Sequence, residues 1–165
     1  MTYILDALTG EHSTETFDCG VELLNAWLKE HAMHAQVKRT ARVFVWHTGD
    51  NNVVAYFSLT AHVVKKKNLP NNLSHGSPAN IPAILLGKLG LDQRLHGIGL
   101  GSDLFHSALF VGLEATQHIG ARLFVVDALD VDVARFYQHY KFIPYADNPL
   151  RLVRKVSDIR KELLN

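Results

Sequence analysis

The sequence predicts a mixed α/β fold in which a mostly antiparallel sheet is flanked by helices. Apolar segments of strand length alternate with segments of helical periodicity along the chain. Residues 48–52, Thr-Gly-Asp-Asn-Asn, separate two strand-like segments and predict an antiparallel hairpin. Further along, an amphipathic segment separates two apolar strands, and a helical connection of this kind makes its two strands parallel.

The first half of the chain predicts a strand, a helix and a hairpin. The helix begins after residues 17–20, with Asp18 or Cys19 as its cap, and its apolar residues recur at helical spacing up to residue 36. A loop rich in Asn, Ser, Gly and Pro covers residues 68–82, and at about fifteen residues it has the length of a mobile or functional segment. The strands predicted in this half cover residues 3–8, 43–47 and 53–64.

The second half predicts further strands and helices. Gly120 ends a helix over residues 101–118, and Asp130 caps a short helix that carries Tyr137. A last helix is expected over residues 157–164. The strands predicted in this half cover residues 83–91, 122–127 and 150–156, with one more that begins at Phe142. The sequence has no repeat and no visible domain boundary, so we expect a single domain over residues 1–165.

Composition narrows the class of protein. Apolar residues make up 47% of the 165 residues and charged residues 20%, which is ordinary for a globular domain. No apolar run has the length of a membrane span and no signal-peptide pattern is present, so no membrane association is expected. The net charge of +1 means that any polyanion site must be a local patch. The single cysteine, Cys19, excludes an internal disulfide and favours a reducing cytoplasm.

No metal site is expected from the sequence. His31 and His34 are three residues apart on the predicted helix, a spacing that can hold a metal. No other His, Asp, Glu or Cys has ligand spacing beside them, so solvated or partly buried histidines are the better interpretation.

Residues 96–101, His-Gly-Ile-Gly-Leu-Gly, lie between an apolar strand and an amphipathic helix. Glycines let the backbone turn tightly and approach a ligand closely. The helix that follows presents unpaired N–H groups and the positive end of its dipole. This combination predicts a cradle for a pyrophosphate.

Two alternatives compete with the pyrophosphate cradle. The first is a tight strand-to-helix turn that binds nothing. The second is a dinucleotide-binding loop, with Asp127 as the acidic residue at the end of the next strand and Ser102 where its third glycine should stand. The polar stretch 92–96 before the glycines, and the single strand–helix–strand unit that follows them, disfavour the second alternative.

Clusters of cations occur at two places in the first half of the chain. Lys38, Arg39 and Arg42 follow the first predicted helix, and residues 65–67 are three consecutive lysines. Each cluster is either a solvated end of its element or a patch that binds phosphate.

The order of the elements, together with residues 96–101, resembles that of the GNAT N-acetyltransferase superfamily, whose acetyl-CoA loop has the form Q/R-x-x-G-x-G/A. His96 departs from this form because Gln or Arg is usual at its position. The resemblance implies the GNAT fold, in which the mixed sheet contains a parallel pair of strands that splay apart. It also implies acetyl-CoA as the cosubstrate.

Further segments resemble the GNAT toxins of bacterial type II toxin–antitoxin modules. These segments are residues 17–20 with Leu24, Trp27 and Leu28, residues 81–92, residues 119–122, residues 126–128 and residues 134–137. Lys141 departs from the pattern, in which Gly is usual before Phe142. The resemblance implies an enzyme that acetylates the α-amino group of aminoacyl-tRNA and blocks translation. It also implies a homodimer that a small ribbon-helix-helix antitoxin neutralises.

The resemblance assigns catalytic and cofactor-binding roles to named residues. It makes Tyr137 the general acid that protonates the leaving thiolate. It makes the backbone N–H of Leu91 the donor that stabilises the oxyanion of the tetrahedral intermediate. A phenol with a pKa near 10 is protonated at neutral pH and can therefore donate a proton. The alternative to this catalytic role is that Tyr137 is a core aromatic. The cofactor-binding residues that it implies are Leu89, Gly90, Leu91, His96, Gly97, Ile98, Gly99, Leu100, Gly101, Ser102 and Phe136.

The class of amine that accepts the acetyl group is inferred from the catalytic groups that the sequence lacks. No general base is evident, and an α-amine with a pKa of about 8 needs less help to deprotonate than a lysine with a pKa of about 10.4. This favours an α-amine as the acceptor. If that amine belongs to an amino acid carried by tRNA, the enzyme needs cations that contact the tRNA phosphates. The candidate cations are Lys38, Arg39, Arg42 and Lys141, and then Arg151, Arg154 and Lys155. The alternatives are an acetyltransferase of a small-molecule or protein amine, and a non-catalytic GNAT-fold binding module.

Overall fold

The computed structural model describes residues 2–164 and contains a seven-stranded sheet. Its strands are β1 Ile4–Ala7, β2 Arg42–His47, β3 Ala55–Lys65, β4 Asn80–Leu91, β5 Leu123–Asp127, β6 Ile143–Pro144 and β7 Arg151–Lys155. They are ordered β1-β2-β3-β4-β5-β7-β6. β4 and β5 are parallel, whereas β1–β2, β2–β3, β5–β7 and β6–β7 are antiparallel. The predicted fold class, a mostly antiparallel sheet with one parallel pair, is confirmed.

Helices connect and flank these strands. They are α1 Glu22–Ala26, α2 Ala32–Lys38, α3 Asn71–Ser74, α4 Leu100–Ala115, α5 Val131–His139 and α6 Val156–Leu164. A π-helical segment, Trp27–His31, joins α1 to α2, and short 3₁₀ turns cover Lys66–Asn68 and Gln93–Leu95. Within residues 2–164, no helix combines the length and the apolar character that crossing a membrane requires.

The first predicted helix differs from the structure in its start and its continuity. Val21 precedes α1 without a side-chain cap, so the prediction of Asp18 or Cys19 as the cap was wrong. The Asp18 carboxylate instead accepts hydrogen bonds from the Gly20 N–H and the Asn25 amide, both at 2.9 Å. Apolar periodicity located the helical region, but it did not reveal the wider π turn that begins at Trp27.

The segment predicted as a loop over residues 68–82 is partly ordered into secondary structure. It contains α3 and the beginning of β4. Leu69 and Leu73 are buried, and the Lys66 ammonium donates to the Ser77 carbonyl at 3.1 Å. Two leucines among polar residues are too few to show a helical period, which is why the sequence did not predict α3.

The chain forms two compact units, and the first contains the described residues up to Thr60 together with Gly87–Ala108. Its core packs the α1–α2 region on β2 and β3 through a buried cluster that includes Phe17, Leu28 and Tyr56. The rings of Phe17 and Tyr56 meet edge to face at 5.6 Å between centroids. The Tyr56 hydroxyl donates to the Leu24 carbonyl at 2.8 Å, which satisfies the one polar group of this buried ring.

The second unit contains Ala61–Leu86 and the described residues from Leu109 onward. β5 is buried along most of its length, and its antiparallel register with β7 runs from Leu123–Lys155 to Asp127–Arg151. On its other side β5 pairs in parallel with β4 from Ala83–Leu123 to Leu86–Val126. The interpretation of residues 1–165 as one domain stays a prediction.

Candidate active site

The end of β4 carries three residues that the sequence assigns to the cofactor, Leu89, Gly90 and Leu91. The paired stretch with β5 ends at Leu86, and β4 continues beyond it to Leu91. A strand end that continues past its paired neighbour has backbone N–H and C=O groups with which an extended, peptide-like ligand can pair. This part of β4 belongs to the first unit.

The glycine loop follows this strand end in the same unit. Gly97 and Gly99 have φ angles of +80° and +85°, a left-handed conformation that side chains disfavour. A Cβ added at Gly97, Gly99 or Gly101 would meet no atom within 4 Å. The backbone of the loop therefore faces open space, as a cradle for a pyrophosphate requires.

Helix α4 begins directly after the left-handed glycines. Leu100, Gly101 and Ser102 form its first turn. The backbone N–H groups in the first turn of a helix point out of its N-terminal end. The helix has 16 residues, which is long enough for a dipole with its positive end at this turn. Left-handed glycines, open space and a helix N-terminus suit an anionic group, so the residues present fit the pyrophosphate of acetyl-CoA.

His96 connects the glycine loop to the strand end. Its Nε2 donates to the carbonyl oxygen of Leu91 at 2.7 Å. The ring therefore holds the beginning of the loop against the residue whose N–H is assigned to the oxyanion. At a position where the family pattern has Gln or Arg, His96 thus makes a hydrogen bond within the loop itself.

A network of carboxylates that the sequence did not reveal supports the same loop. Asp92 is buried and forms a two-pronged ion pair with Arg94, at 2.8 and 3.0 Å. Asp92 also accepts from the backbone N–H of Asp18, whose own carbonyl accepts from the N–H of Gln93. Burial alone would raise the pKa of Asp92, but the hydrogen bonds from Arg94 and Asp18 lower it overall. The network ties the start of the glycine loop to residues 17–20.

Tyr137, the predicted general acid, lies on α5 in the second unit. Asp130 caps α5 by accepting from the Val133 N–H at 2.9 Å, as the sequence predicted. The Tyr137 side chain is only 2% exposed, and its ring packs on Phe136 and Phe142 with centroids 5.5 and 6.3 Å away. Burial, and then the negative charge of Asp127, raise the pKa of Tyr137 well above its ordinary value. The phenol is therefore fully protonated at neutral pH, which a proton donor requires.

The carboxylate that acts on Tyr137 is held by an ion pair. Asp127, at the end of β5, accepts from the Arg151 guanidinium at 2.7 and 2.9 Å. This bond engages Arg151, which the sequence offered as a further tRNA contact. The pair fixes the Asp127 carboxylate at the end of β5 through two charge-assisted hydrogen bonds.

Three of the predicted tRNA-binding cations lie free on the surface of the first unit. Lys38, Arg39 and Arg42 are exposed, and within residues 2–164 none of them forms an ion pair. Arg39 follows α2 with a φ of +61°, a left-handed conformation that costs free energy in any residue except glycine. No carboxylate of the described residues therefore competes with a polyanion for these three cations.

The candidate cations of the second unit are less available. Lys141 has a φ of +69°, the conformation that the usual glycine would adopt, and its ammonium lies 3.6 Å from the Glu162 carboxylate. Arg154 is 8% exposed and donates to Glu162 at 2.6 Å and to the Tyr140 carbonyl at 3.3 Å. Lys141 stays a candidate because its side chain is exposed, but Arg154 is occupied inside the unit.

Asp6, His12 and His47 form the one group of three potential metal ligands within residues 2–164, and His31 and His34 are not part of it. His47 and His12 each place Nε2 on the same Asp6 oxygen, at 2.6 and 3.2 Å. Their Nδ1 atoms accept from the N–H groups of Gly49 and Thr9, both at 3.0 Å. Each neutral ring must then carry its proton on Nε2, so neither Nε2 is open for a metal.

Comparison with known proteins identifies relatives along nearly the whole chain, although no protein-family model matches. A tRNA-acetylating toxin of Mycobacterium tuberculosis is 31% identical over 145 residues, which are 88% of this chain and 87% of that protein. A probable toxin TacT of Sinorhizobium fredii is 27% identical over 159 residues, covering 90% of this chain and 88% of that protein.

Solved structures agree with these relatives. AtaT complexed with acetyl-methionyl-tRNAfMet superposes with a TM-score of 0.90 at 27% identity, covering 99% of this chain and 100% of that chain. AtaTR bound with AcCoA gives a TM-score of 0.82 at 26% identity, covering 99% and 98%. A Tyr-to-Phe mutant of AtaT bound to the C-terminus of the antitoxin AtaR gives 0.85 at 25% identity, covering 99% of each chain.

Proposed function

This chain belongs to the GNAT toxins, and we propose that it transfers the acetyl group of acetyl-CoA to the α-amino group of an amino acid esterified to tRNA. It is an acetyl-CoA-dependent N-acetyltransferase, and its product cannot support translation. The observation that carries this function is the 31% identity to a tRNA-acetylating toxin over 88% of the chain. The open glycine loop at the end of β4 agrees with it, because its backbone suits a pyrophosphate.

Acetyl-CoA supplies the activated acetyl thioester, and the first unit provides most of its proposed contacts. The N–H groups of residues 97–102 bind the pyrophosphate, and the backbone of residues 89–91 pairs with the peptide-like pantetheine arm. His96 positions the loop through Leu91. Phe136 is the remaining residue that the resemblance assigns to acetyl-CoA, and its ring packs on Tyr137 and Tyr140.

The proposed chemistry uses two groups of this chain. The Leu91 N–H donates to the thioester oxygen as it becomes negative, and the Tyr137 hydroxyl gives its proton to the departing sulfur. The α-amine forms the new C–N bond as the C–S bond breaks, and the nitrogen then loses a proton to solvent, from which Tyr137 is reprotonated. No metal takes part in this scheme.

The proposed tRNA contacts are the exposed cations Lys38, Arg39 and Arg42, with Lys141 as a further contact. All four side chains are exposed, and the first three are free of ion pairs within the described chain. Phosphate contacts of this kind position a nucleic acid without reading its sequence. They therefore explain binding to tRNA but not a choice among tRNAs.

We further infer the partners and the setting of this enzyme. A GNAT toxin requires an antitoxin, and the resemblance favours a small ribbon-helix-helix protein that also represses transcription. It also favours a homodimer built from single-domain subunits. Because charged tRNA is its substrate, we place the enzyme in the cytoplasm.

The test is transfer of labelled acetyl from acetyl-CoA to charged tRNA, compared with the same tRNA after its amino acid has been removed. We expect label on charged tRNA alone, and a rate about 10²–10⁴-fold lower for Tyr137→Phe, which keeps the ring but has no proton to donate. Thermal unfolding and acetyl-CoA binding of the variant serve as controls. Acetyl-CoA binding without transfer to charged tRNA would indicate a different amine acceptor, and absence of acetyl-CoA binding would indicate a non-catalytic module.

A further inference from the structure

Lys88 is the one charged residue of β4, whose sequence from Asn80 to Leu91 is otherwise neutral. It directly precedes residues 89–91, the segment that the proposed function assigns to the acetyl-bearing arm of acetyl-CoA. Its side chain is only partly exposed. A cation at this place in an apolar strand calls for an explanation beyond folding.

The ammonium of Lys88 is held by an aromatic ring and not by a carboxylate. Its Nζ lies over the Trp27 indole, 5.5 Å from the ring centroid. Within residues 2–164 it forms no ion pair. A cation–π contact holds an ammonium in place and leaves its positive charge unneutralised.

The indole that holds Lys88 is itself fixed. Trp27 stacks on Tyr56 with centroids 6.0 Å apart and an interplanar angle of 10°. Trp27 also begins the π-helical segment, a local distortion that often occurs at functional sites.

Lys88 shares a face of β4 with Gly90, because side chains two residues apart point to the same side of a strand. On that face Tyr56 and Phe17 come so close that a Cβ at Gly90 would lie 3.0 Å from the Tyr56 ring. The Lys88 side chain therefore leaves β4 on this covered face, in the residue directly before the segment 89–91. An amine that attacks an acetyl group held on that segment approaches a strand end that carries a positive charge with no carboxylate on it.

We propose that Lys88 is a positioning residue for the acceptor amine, whose fixed charge disfavours the protonated amine and makes the substrate react as the free base. This inference rests on the proposed function. It supplies the free amine in a scheme that uses no general base among residues 2–164. Like charges within about 4–6 Å disfavour the protonated form of an amine, as they do in lysines next to other cations.

The step balances as follows. The α-ammonium gives one proton to water and keeps the lone pair. That pair forms the C–N bond to the acetyl carbon, the C–S bond breaks, and its electron pair leaves with sulfur, which takes a proton. The nitrogen then loses a second proton, which leaves an amide and a thiol.

Titratable groups on neighbouring segments of the first unit have different roles. Tyr56 of β3 donates its hydroxyl to Leu24, and burial raises its pKa far above the working range. Lys29, Glu30 and His31 of the π-helical segment are exposed, and His31 lies 4.0 Å from Glu30. Cys19 is buried and burial raises its pKa, whereas the Asp18 and Asp92 carboxylates are occupied by hydrogen bonds.

The experiment measures the single-turnover rate of acetyl transfer to charged tRNA as a function of pH, with saturating enzyme and acetyl-CoA. Under these conditions the fall of the rate at low pH, the acidic limb of the profile, reports protonation of the amine in the bound substrate. Lys88→Met removes the charge and keeps an unbranched chain, and Lys88→Gln is a second neutral variant. Lys88→Arg keeps the charge, and Lys29→Met removes an exposed charge nearby. Acetyl-CoA binding verifies that each variant is folded.

We expect the acidic limb of the pH–rate profile to lie about one pH unit higher in both neutral variants than in the wild type. Their rate at acidic pH is then about tenfold lower, whereas the plateau at higher pH is nearly unchanged. Lys88→Arg and Lys29→Met should keep the wild-type limb. An unmoved limb in the neutral variants, or a rate that falls equally at all pH values, overturns the role of Lys88. A wild-type enzyme that does not acetylate charged tRNA overturns the proposed function instead.

Discussion

Tyr137 shows at the scale of one residue how burial suits a side chain to the role of proton donor that we propose for it. Its phenol is enclosed by Phe136 and Phe142, and both its burial and the charge of Asp127 oppose the phenolate. The sequence identified this residue only through a family pattern, because an aromatic on an amphipathic helix is equally expected in a core. The same is true of the buried Asp92, which meets Asp18 across 74 positions of the chain, a distance that no local pattern reports.

The raised pKa of Tyr137 leads to a prediction about the basic side of the pH profile. A phenol with a raised pKa stays protonated to higher pH, so its loss as a donor begins only above the ordinary value of about 10. We expect the single-turnover rate to rise with deprotonation of the amine and then to stay level up to about pH 10. A rate that declines between pH 8 and pH 9, in a protein that is still folded there, would show that another group donates the proton.

His96 leads to a prediction about the cofactor. His96→Ala removes the 2.7 Å hydrogen bond to Leu91 and frees the beginning of the glycine loop. A net hydrogen bond of about 0.5–1.5 kcal/mol corresponds to acetyl-CoA binding that is about 2–10-fold weaker, which titration calorimetry measures. His118→Ala, an exposed histidine beyond α4, is the matched control and should bind acetyl-CoA as the wild type does. Equal affinity of the two variants would mean that His96 does not position the loop.

At the scale of elements, apolar periodicity located the strands and most helices to within a few residues. It succeeded because the buried faces of β5 and α5 repeat with the period of their element. It failed where that period is interrupted, at the π turn of Trp27, and where an element is too short to have one, as in α3. The glycine loop was predictable because left-handed backbone at Gly97 and Gly99 requires that residue type.

Helix α4 offers a matched pair of glycines for testing its packing. A Cβ at Gly112 would overlap the Phe124 ring, coming within 2.8 Å of its Cζ, whereas a Cβ at Gly101 would meet no atom within 4 Å. We expect Gly112→Ala to destabilise the protein by about 1–3 kcal/mol through overpacking. Gly101→Ala should stabilise it by up to about 1 kcal/mol through helix propensity. Denaturant unfolding measures both, and a stabilising Gly112→Ala would contradict the packing described here.

At the scale of the whole molecule, a nearly neutral protein must bind a polyanion through a few local cations. The net charge is +1, and some of the candidate cations of the second unit are engaged in ion pairs, as in Arg151–Asp127 and Arg154–Glu162. The cations after α2 are free of such pairs within residues 2–164. Sequence alone showed where cations cluster, but it did not show which of them are neutralised, because that depends on partners far along the chain.

Arg39 allows its charge to be removed without loss of stability. Because its φ is +61°, Arg39→Gly relieves a left-handed conformation while it removes the cation. We expect a severalfold higher KM for charged tRNA and an unchanged KM for acetyl-CoA. In a plot of log KM for charged tRNA against log salt concentration, the slope should be lower than that of the wild type by about one. The matched control is Lys29→Ala, an exposed cation on the π-helical segment. An unchanged salt dependence would remove Arg39 from the tRNA-binding surface.

The identity of the acetylated atom tests the central claim most directly. Charged tRNA is incubated with acetyl-CoA and enzyme, digested with nuclease to its terminal aminoacyl-adenosine, and analysed by fragmentation mass spectrometry. We predict one added acetyl group on the α-nitrogen of the amino acid with wild type, and none with Tyr137→Phe on the same timescale. An acetyl group on a base, on a side-chain amine or on no part of the charged end would contradict the account.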